Sequence, residues 1–190
     1  MWRVISASHN PFEHNGIKIF NGKGFKLSDE LEGEIEGLIL SGEVERLPLK
    51  THDGIGRVIY ADESARDDYI DHLVSTVPDG LDGLRILVDC ANGASSATAP
   101  ELFDRFDGLH CDIINADPDG VNINTNCGST HMDGLAAMVK AGSYDLGLAF
   151  DGDADRFLAV SEMGIPIDGD QIMAACGRAL KEQGKLPGNT

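Results

Sequence analysis

The spacing of apolar residues predicts a mixture of strands and helices in the first 80 residues. Asn21-Gly22 lies between two short apolar runs and predicts a tight hairpin turn. Ser28 is well placed as an N-cap, because acidic residues follow it and leucine and isoleucine then recur at helical spacing. The predicted elements are strands at 2–5, 16–20 and 24–27, helices at 29–39 and 69–77, and loop with short strand at 41–60.

From residue 84 onward, apolar runs alternate regularly with amphipathic stretches. The predicted elements are strands at 84–89, 111–114 and 145–150, helices near 96–106 and at 131–141, a hairpin of 157–160 with 165–167, and a helix at 169–184. The alternation over 84–150 is a βαβαβ unit, which predicts an α/β fold with a parallel sheet and helices on its faces. Ligands of such folds bind at the carboxyl ends of the strands, where Asp151 falls.

Composition and charge narrow the functional classes. The 190-residue chain is 42% hydrophobic, as expected for a folded domain with a core. Its net charge of -17 argues against nucleic acid or an anionic membrane as a partner, so an anionic substrate would need a locally positive pocket. Four cysteines without Cys-x-x-Cys spacing, and no recognisable leader or membrane-spanning run, lead us to expect a cytoplasmic protein.

Three carboxylates alternate with small residues directly after a predicted buried strand. Asp151, Asp153 and Asp155 are separated by Gly152 and Ala154, so a loop can direct all three carboxylates to one side. Three such oxygens suit a hard cation, and Mg²⁺ is the expected ion where phosphate is also bound.

Two other interpretations of this acidic loop stay open. One is a solvated loop without metal, because acidic residues are abundant in the chain. The other is an EF-hand calcium loop, since Glu162 falls at position twelve when Asp151 is position one. Against the EF-hand, Arg156 occupies position six, where glycine is expected. A guanidinium at Arg156 suits a phosphate held beside a metal, although a salt bridge that organises the loop is the simpler role.

The run Ser6-Ala7-Ser8-His9-Asn10-Pro11 could supply a hydroxyl nucleophile. An isolated serine before proline is most often a turn residue. The neighbours of Ser8 favour chemistry instead: His9 is adjacent, Asn10 can donate hydrogen bonds, and Lys18 lies in a strand that could return past the loop. A nucleophilic serine needs a base or a metal. Together with the acidic loop, this run predicts metal-assisted phosphoryl transfer.

The runs at 8–11 and 151–156 resemble the phosphoserine loop and the metal loop of the α-D-phosphohexomutase superfamily. Further runs, at 5–12, 122–124, 127–131 and 168–173, are similar to the bacterial members that act on glucosamine phosphates. The resemblance implies three-layer α/β/α domains with mixed, largely parallel sheets. It also implies an isomerase that interconverts glucosamine 6-phosphate and glucosamine 1-phosphate through a phosphoserine and a bisphosphorylated sugar. A phosphomannomutase or phosphoglucomutase of the same superfamily is the alternative.

The same resemblance implies a role for each candidate residue. Ser8 would carry the phosphoryl group, Lys18 would serve in proton transfer, and His9, Asn10 and Arg156 would position or bind phosphate. The implied cofactor is one Mg²⁺ per active site, shared by the Ser8 phosphate and the carboxylates of Asp151, Asp153 and Asp155. The implied partners are a phosphosugar substrate and, in the longer enzyme, a second copy in a homodimer.

The resemblance further implies a multidomain protein of which this chain is a segment. Residues 1–62 would form the latter part of the first domain, 63–166 the second domain, and 167–190 the start of the third. The sugar-recognition loop and the terminal phosphate-binding domain would lie outside the chain, so we expect little or no mutase turnover by it alone. A noncatalytic divalent-cation-binding module is the alternative from another class, and it predicts no phosphate on Ser8.

Overall fold

The computed structural model describes residues 2–57, 64–186 and 188. The chain divides into two units. Unit 1 comprises Met1–Ser6 and Gly16–Ala65, and unit 2 comprises Ala7–Asn15 and Arg66–Thr190. The short segment that contains Ser8 therefore belongs to the same unit as the acidic loop.

Unit 1 contains a two-stranded antiparallel sheet formed by β1 (Trp2–Ser6) and β2 (Gly16–Phe20). Lys18 lies at the centre of β2, opposite Val4. Both strands were predicted from their apolar runs, and both are confirmed.

The turn after β2 differs from the predicted hairpin. The strand expected at 24–27 is reduced to a single bridge between Phe20 and Lys26. The reason is local, because the side-chain oxygen of Asn21 accepts the backbone N–H groups of Lys23 and Phe25 at 2.8 and 3.2 Å. These bonds curl the chain and leave no extended pairing.

A helix follows this turn in unit 1. α1 (Asp29–Leu40) begins at Ser28, whose hydroxyl accepts the backbone N–H of Leu31, so the predicted N-cap is confirmed. The described part of 41–60 contains two short 3-10 turns, Glu43–Arg46 and His52–Gly54, and no strand. Residues 58–60 lie outside the described residues.

Unit 2 is built on a five-stranded mixed sheet. Its strands are β3 (Arg85–Asp89), β4 (His110–Ile114), β5 (Leu146–Phe150), β6 (Phe157–Ser161) and β7 (Pro166–Ile167). The order across the sheet is β4-β3-β5-β6-β7. β3 pairs in parallel with β4 and β5, and β6 pairs antiparallel with β5 and β7. The parallel part is the predicted βαβαβ unit, and the predicted hairpin extends it.

Beyond α1, the described residues form α2 (Ser64–Ser75), α3 (Ala99–Asp104), α4 (Met132–Gly142) and α5 (Gly169–Glu182). The helix predicted near 96–106 is instead a 3-10 turn at Ala94–Ala97 followed by α3. Pro100 lies in the first turn of α3, where its missing N–H costs nothing. Among the described helices, none is both long and apolar enough to cross a membrane.

The core of unit 2 lies on both faces of the sheet, because successive residues of β3 point to opposite sides. Ile86 and Val88 pack on one face with Ala99 and Phe103 of α3. On the other face, Leu87 packs with Leu135 and Val139 of α4, together with Ala149 and Val160. One helix layer on each face gives the three-layer α/β/α architecture, and the predicted fold class is confirmed.

Candidate functional site

The acidic loop connects β5 to β6 at the carboxyl end of β5, as the sequence predicted. One oxygen from each of Asp151, Asp153 and Asp155 lies within 4.8 Å of the other two. The side chain of Asp151 is 1% exposed, whereas that of Asp155 is 63% exposed. A fully solvated loop is therefore wrong for Asp151. The EF-hand interpretation is also wrong, because paired strands flank the loop where an EF-hand has helices.

The donor set of this loop fits a hard divalent cation. Carboxylate oxygens are the preferred ligands of Mg²⁺, and one oxygen of each aspartate lies close enough to the other two to share an ion. Burial raises the pKa of the Asp151 carboxyl, the backbone N–H of Arg156 lowers it, and the carboxylates of Asp153 and Asp155 raise it further. A bound cation would offset the mutual repulsion of the carboxylates.

Arg156 holds the buried end of the acidic loop. Its backbone N–H donates to Asp151 Oδ1 at 3.2 Å, and its Nη2 lies 3.0 Å from Asp151 Oδ2. The backbone N–H of Asp151 donates in return to the Arg156 carbonyl at 3.1 Å. The salt bridge that was the simpler role for Arg156 is present.

The Ser8 turn is compact and conformationally unusual. Ala7 is buried, and its carbonyl accepts the backbone N–H of Asn10 at 2.9 Å. Ser8 has a φ of 53°, in the left-handed region that non-glycine residues seldom occupy. Such a conformation costs about 1–2 kcal/mol, and it persists where surrounding contacts enforce it, often at functional sites.

The guanidinium of Arg156 connects the Ser8 turn to the acidic loop. Nη2 donates to Ser8 Oγ at 2.9 Å and to His9 Nδ1 at 2.6 Å, across 148 and 147 sequence positions. Because a guanidinium only donates, His9 Nδ1 must accept, and the proton of a neutral ring is then on Nε2. His9 Nδ1 also lies 3.4 Å from Ser8 Oγ, so Ser8, His9 and Arg156 form one cluster of polar side chains.

A cleft of about 280 Å³ adjoins this contact. It combines a guanidinium, an imidazole and hydroxyl groups with two apolar side chains, and it is lined by His9, Ser129, Thr130, Arg156, Phe157 and Leu158. The guanidinium and hydroxyl groups offer this cleft N–H and O–H donors of the kind that phosphate oxygens accept.

The fold gives the positions of two further predicted site residues, Lys18 and Asn10. Lys18 lies in unit 1, where it lines a cleft of about 600 Å³ with residues of β2 and α1. Asn10 is exposed, and its backbone carbonyl accepts a hydrogen bond from the Asn124 side chain. Proton transfer by Lys18 and phosphate binding by Asn10 stay predictions.

Sequence reasoning missed Asn124 as a site residue. Its side chain is buried, and its Nδ2 donates to the carbonyls of Ser8 and Asn10 at 2.8 and 2.9 Å. The first contact spans 116 positions, so no local spacing could have indicated it. The signals available were the length of the polar loop that contains it and the similarity of the run at 122–124 to family members.

Sequence reasoning also missed how closely Gly152 is packed. A Cβ on Gly152 would lie 2.3 Å from the Ser8 carbonyl oxygen and 2.7 Å from Asn124 Nδ2. A Cβ on Gly93 would lie 2.2 Å from the Gly152 carbonyl oxygen, which accepts the backbone N–H of Ala94 at 2.8 Å. Glycine at position 152 therefore allows the Ser8 turn to pack directly against the acidic loop. The sequence had suggested only that a small residue lets this loop turn.

The fold and the site together define an α/β/α domain whose acidic loop and serine turn share one arginine. Residues 67–164 match the family model described as phosphoglucomutase/phosphomannomutase, alpha/beta/alpha domain II. Residues 3–46 match the model for alpha/beta/alpha domain I of the same family. The chain belongs to the phosphoglucomutase/phosphomannomutase family.

Similar curated proteins include the phosphoglucosamine mutases of Acetivibrio thermocellus and Clostridium acetobutylicum. Each is 55% identical to this chain, over 187 and 183 residues respectively. The matches cover 98% and 96% of this chain but 41% and 40% of the relatives. The chain thus spans about two fifths of the length of the curated relatives it matches.

Similar solved structures belong to the same family of folds. A phosphoglucomutase/phosphomannomutase family protein from Burkholderia thailandensis has a TM-score of 0.69 at 28% identity, covering 95% of this chain and 38% of that one. The N-acetylphosphoglucosamine mutase of Aspergillus fumigatus, in complex with GlcNAc-6P and magnesium, has a TM-score of 0.59 at 21% identity. That match covers 96% of this chain and 49% of the other, and it concerns the fold alone.

Proposed function

We propose that this chain carries the phosphoryl-transfer site of a phosphoglucosamine mutase, which interconverts glucosamine 6-phosphate and glucosamine 1-phosphate. The observation that carries the proposal is the position of Arg156, whose Nη2 donates to Ser8 Oγ and whose Nε donates to Asp151 Oδ2. A hydroxyl nucleophile and a cation site are thereby brought to one point. The names of relatives at 55% identity support the choice of sugar.

In this proposal Ser8 is the phosphorylated residue. Asp151, Asp153 and Asp155, with the Ser8 phosphate, would hold one Mg²⁺, which when bound supplies charge stabilisation for the transferring phosphoryl group. Arg156 has donors in a fixed fork that suits phosphate oxygens, and it orients His9 beside them. Asn10 would donate to the phosphate.

The proposed reaction uses Ser8 twice. The phosphoryl group passes from Ser8 to O1 of glucosamine 6-phosphate. The O1 hydroxyl gives up its proton and Ser8 Oγ, the leaving oxygen, takes one up, with Lys18 as the proposed carrier of that proton. The bisphosphorylated sugar then turns over and returns its O6 phosphate to Ser8. The Ser8 hydroxyl loses its proton and the O6 leaving oxygen gains one, which regenerates the phosphoserine and releases glucosamine 1-phosphate. Because the negative charge is spread over the transferring group, cationic positioning matters more here than a strong base.

The proposal assigns the remaining parts of the reaction to chain outside these 190 residues. Residues 1–62 would form part of the first mutase domain, 63–166 the second and 167–190 the start of the third, a division supported by family matches at 3–46 and 67–164. Sugar recognition would then belong to later domains. We expect little or no complete mutase turnover by this chain, but retention of the half-reaction at Ser8.

The test is to incubate the chain with glucosamine 1,6-bisphosphate and Mg²⁺ and to locate phosphate by peptide-resolved mass spectrometry. We expect metal-dependent phosphate on Ser8, none in Ser8→Ala, and undiminished phosphate in the matched control Ser6→Ala. Glucose 1,6-bisphosphate in a parallel reaction tests the phosphoglucomutase alternative. Metal binding with no phosphate on Ser8 from either sugar, in this chain and in a lengthened one, would contradict the proposal and favour a cation-binding module.

A further inference from the structure

The side chain of Asn124 lies between the Ser8 turn and the acidic loop. It is 5% exposed, and its backbone N–H donates to the Ala91 carbonyl at 2.9 Å, which fixes its position beside the end of β3. Its φ of 57° is left-handed, a region that asparagine tolerates better than most residues. A buried amide of this kind needs partners for its donors.

Both partners of the amide nitrogen are backbone carbonyls of the Ser8 turn. Nδ2 donates to the carbonyl of Ser8 at 2.8 Å and to that of Asn10 at 2.9 Å. The two carbonyls flank His9, so a single amide group bridges the turn. Since Ser8 has an unfavourable positive φ, these two bonds are contacts that enforce its conformation.

The same amide also packs on the acidic loop. Nδ2 lies 2.7 Å from the point that a Cβ on Gly152 would occupy, and that point is 2.3 Å from the Ser8 carbonyl oxygen. Asn124 therefore bonds the backbone of the Ser8 turn and fills the space beside Gly152, whereas Arg156 connects side chains of the two loops. The backbone and side-chain contacts are separate restraints on the same geometry.

We propose that Asn124 is a positioning residue that fixes the Ser8 hydroxyl relative to the carboxylates, an inference that rests on the proposed function. Its amide bonds backbone oxygens and not reacting atoms, so its loss would displace the nucleophile without removing a chemical group. A displacement of about 1 Å in an active site can lower a rate about 100-fold. Loss of the Asn124 amide should therefore lower the rate constant at saturating sugar bisphosphate more than it weakens the binding of that sugar.

The test compares Asn124→Asp with the matched variant Asn122→Asp. The first change is nearly isosteric and places a carboxylate oxygen against the two carbonyls of the turn. Asn122 lies in the same polar loop, and its Nδ2 donates to the Asp117 carbonyl at 2.9 Å. Asn124→Gly removes the amide without a new charge and accepts the positive φ, so it serves if the aspartate variant misfolds.

Two measurements are made on each variant. The first is the rate of Ser8 phosphorylation by glucosamine 1,6-bisphosphate with Mg²⁺, against bisphosphate concentration. We expect Asn124→Asp to lower the saturating rate by about tenfold or more, with less than about a threefold change in the half-saturating concentration. Asn122→Asp should stay within about twofold of the unsubstituted chain in both values.

The second measurement is hydrogen–deuterium exchange of peptides from residues 7–15 without any sugar. We expect faster exchange there in Asn124→Asp and Asn124→Gly, with β5 unchanged, and no such increase in Asn122→Asp. Equal exchange and equal rates in the 124 and 122 variants would overturn the inference. If the unsubstituted chain accepts no phosphate, the proposed function fails, and the exchange comparison alone still decides whether Asn124 holds the turn.

Discussion

Replacement of Gly152 by alanine tests whether close backbone contact sets the geometry of the site. The new methyl carbon would lie 2.3 Å from the Ser8 carbonyl oxygen, whereas ordinary contact begins near 3.4 Å. The two backbones must therefore separate by about 1 Å. The nearest atom is backbone, so a side-chain rotation cannot relieve the overlap.

The expected cost follows from this displacement. Overpacking of a well-packed site typically costs about 1–3 kcal/mol, and we expect Gly152→Ala to lower the free energy of unfolding by that amount. We also expect the rate of Ser8 phosphorylation to fall by about 10- to 100-fold, since a shift of about 1 Å between reacting groups has that effect. The loss in rate exceeds what partial unfolding at room temperature would produce.

The assays are urea unfolding monitored by circular dichroism and the Ser8 phosphorylation rate by mass spectrometry. Gly134→Ala is the matched control, because a Cβ on Gly134 meets nothing within 4 Å. That change lies in α4 and should raise the free energy of unfolding by about 0.5–1 kcal/mol through helix propensity, with no change in rate. If Gly152→Ala matched the control in both stability and rate, the packing argument would be refuted.

Asp151→Asn should weaken Mn²⁺ binding at the acidic loop by about tenfold or more, measured by electron paramagnetic resonance, since a buried charged ligand is lost. Unchanged affinity would place the cation elsewhere. The Tyr144 hydroxyl donates to Asp112 and lowers the pKa of that carboxyl, so the stabilisation is present above the ordinary aspartate pKa and is lost as pH falls through the lowered value. Tyr144→Phe should therefore destabilise the chain near neutral pH and have a shrinking effect as the solution is acidified below about pH 4, measured by urea unfolding. A difference in unfolding free energy between Tyr144→Phe and the unsubstituted chain that stayed the same at all pH values would contradict this reasoning. A maleimide should alkylate Cys176, which is exposed, well before the other cysteines, because burial raises their pKa values, that of Cys111 to about 12. Alkylation of all cysteines at one rate, read by mass spectrometry, would show that the sheet is not formed.

The sequence predicted much of the secondary structure because local rules govern it. Apolar periodicity located β3, β4 and β5 within one or two residues, and the hydroxyl of Ser28 marked the start of α1. Predictions failed where a side chain redirected the local backbone. The Asn21 side chain replaced a hairpin by a turn, and the helix predicted near 96–106 begins as an α-helix only at Ala99, with Pro100 in its first turn.

The site was predicted as two separate runs of residues, and the alternatives for each run depended on their surroundings. Strands on both sides of Asp151 exclude the EF-hand that its spacing allowed. Burial of that carboxylate argues against a merely solvated loop. The flanking strands and the burial of Asp151 both depend on how the surrounding chain folds. The spacing of acidic residues does not determine either of them.

The sequence by itself determined the α/β class, most of the order of the elements and the residue types on which the proposed phosphoryl transfer rests. Tertiary structure alone decided that Arg156 bonds Ser8 across 148 positions, that Asn124 holds the Ser8 turn across 116, and that Gly152 leaves room for that turn. Periodicity and capping act over a few residues, so they can be seen in a sequence. Contacts between distant segments depend on how the sheet and its loops bring the backbone together, and these contacts give the separate runs a common geometry.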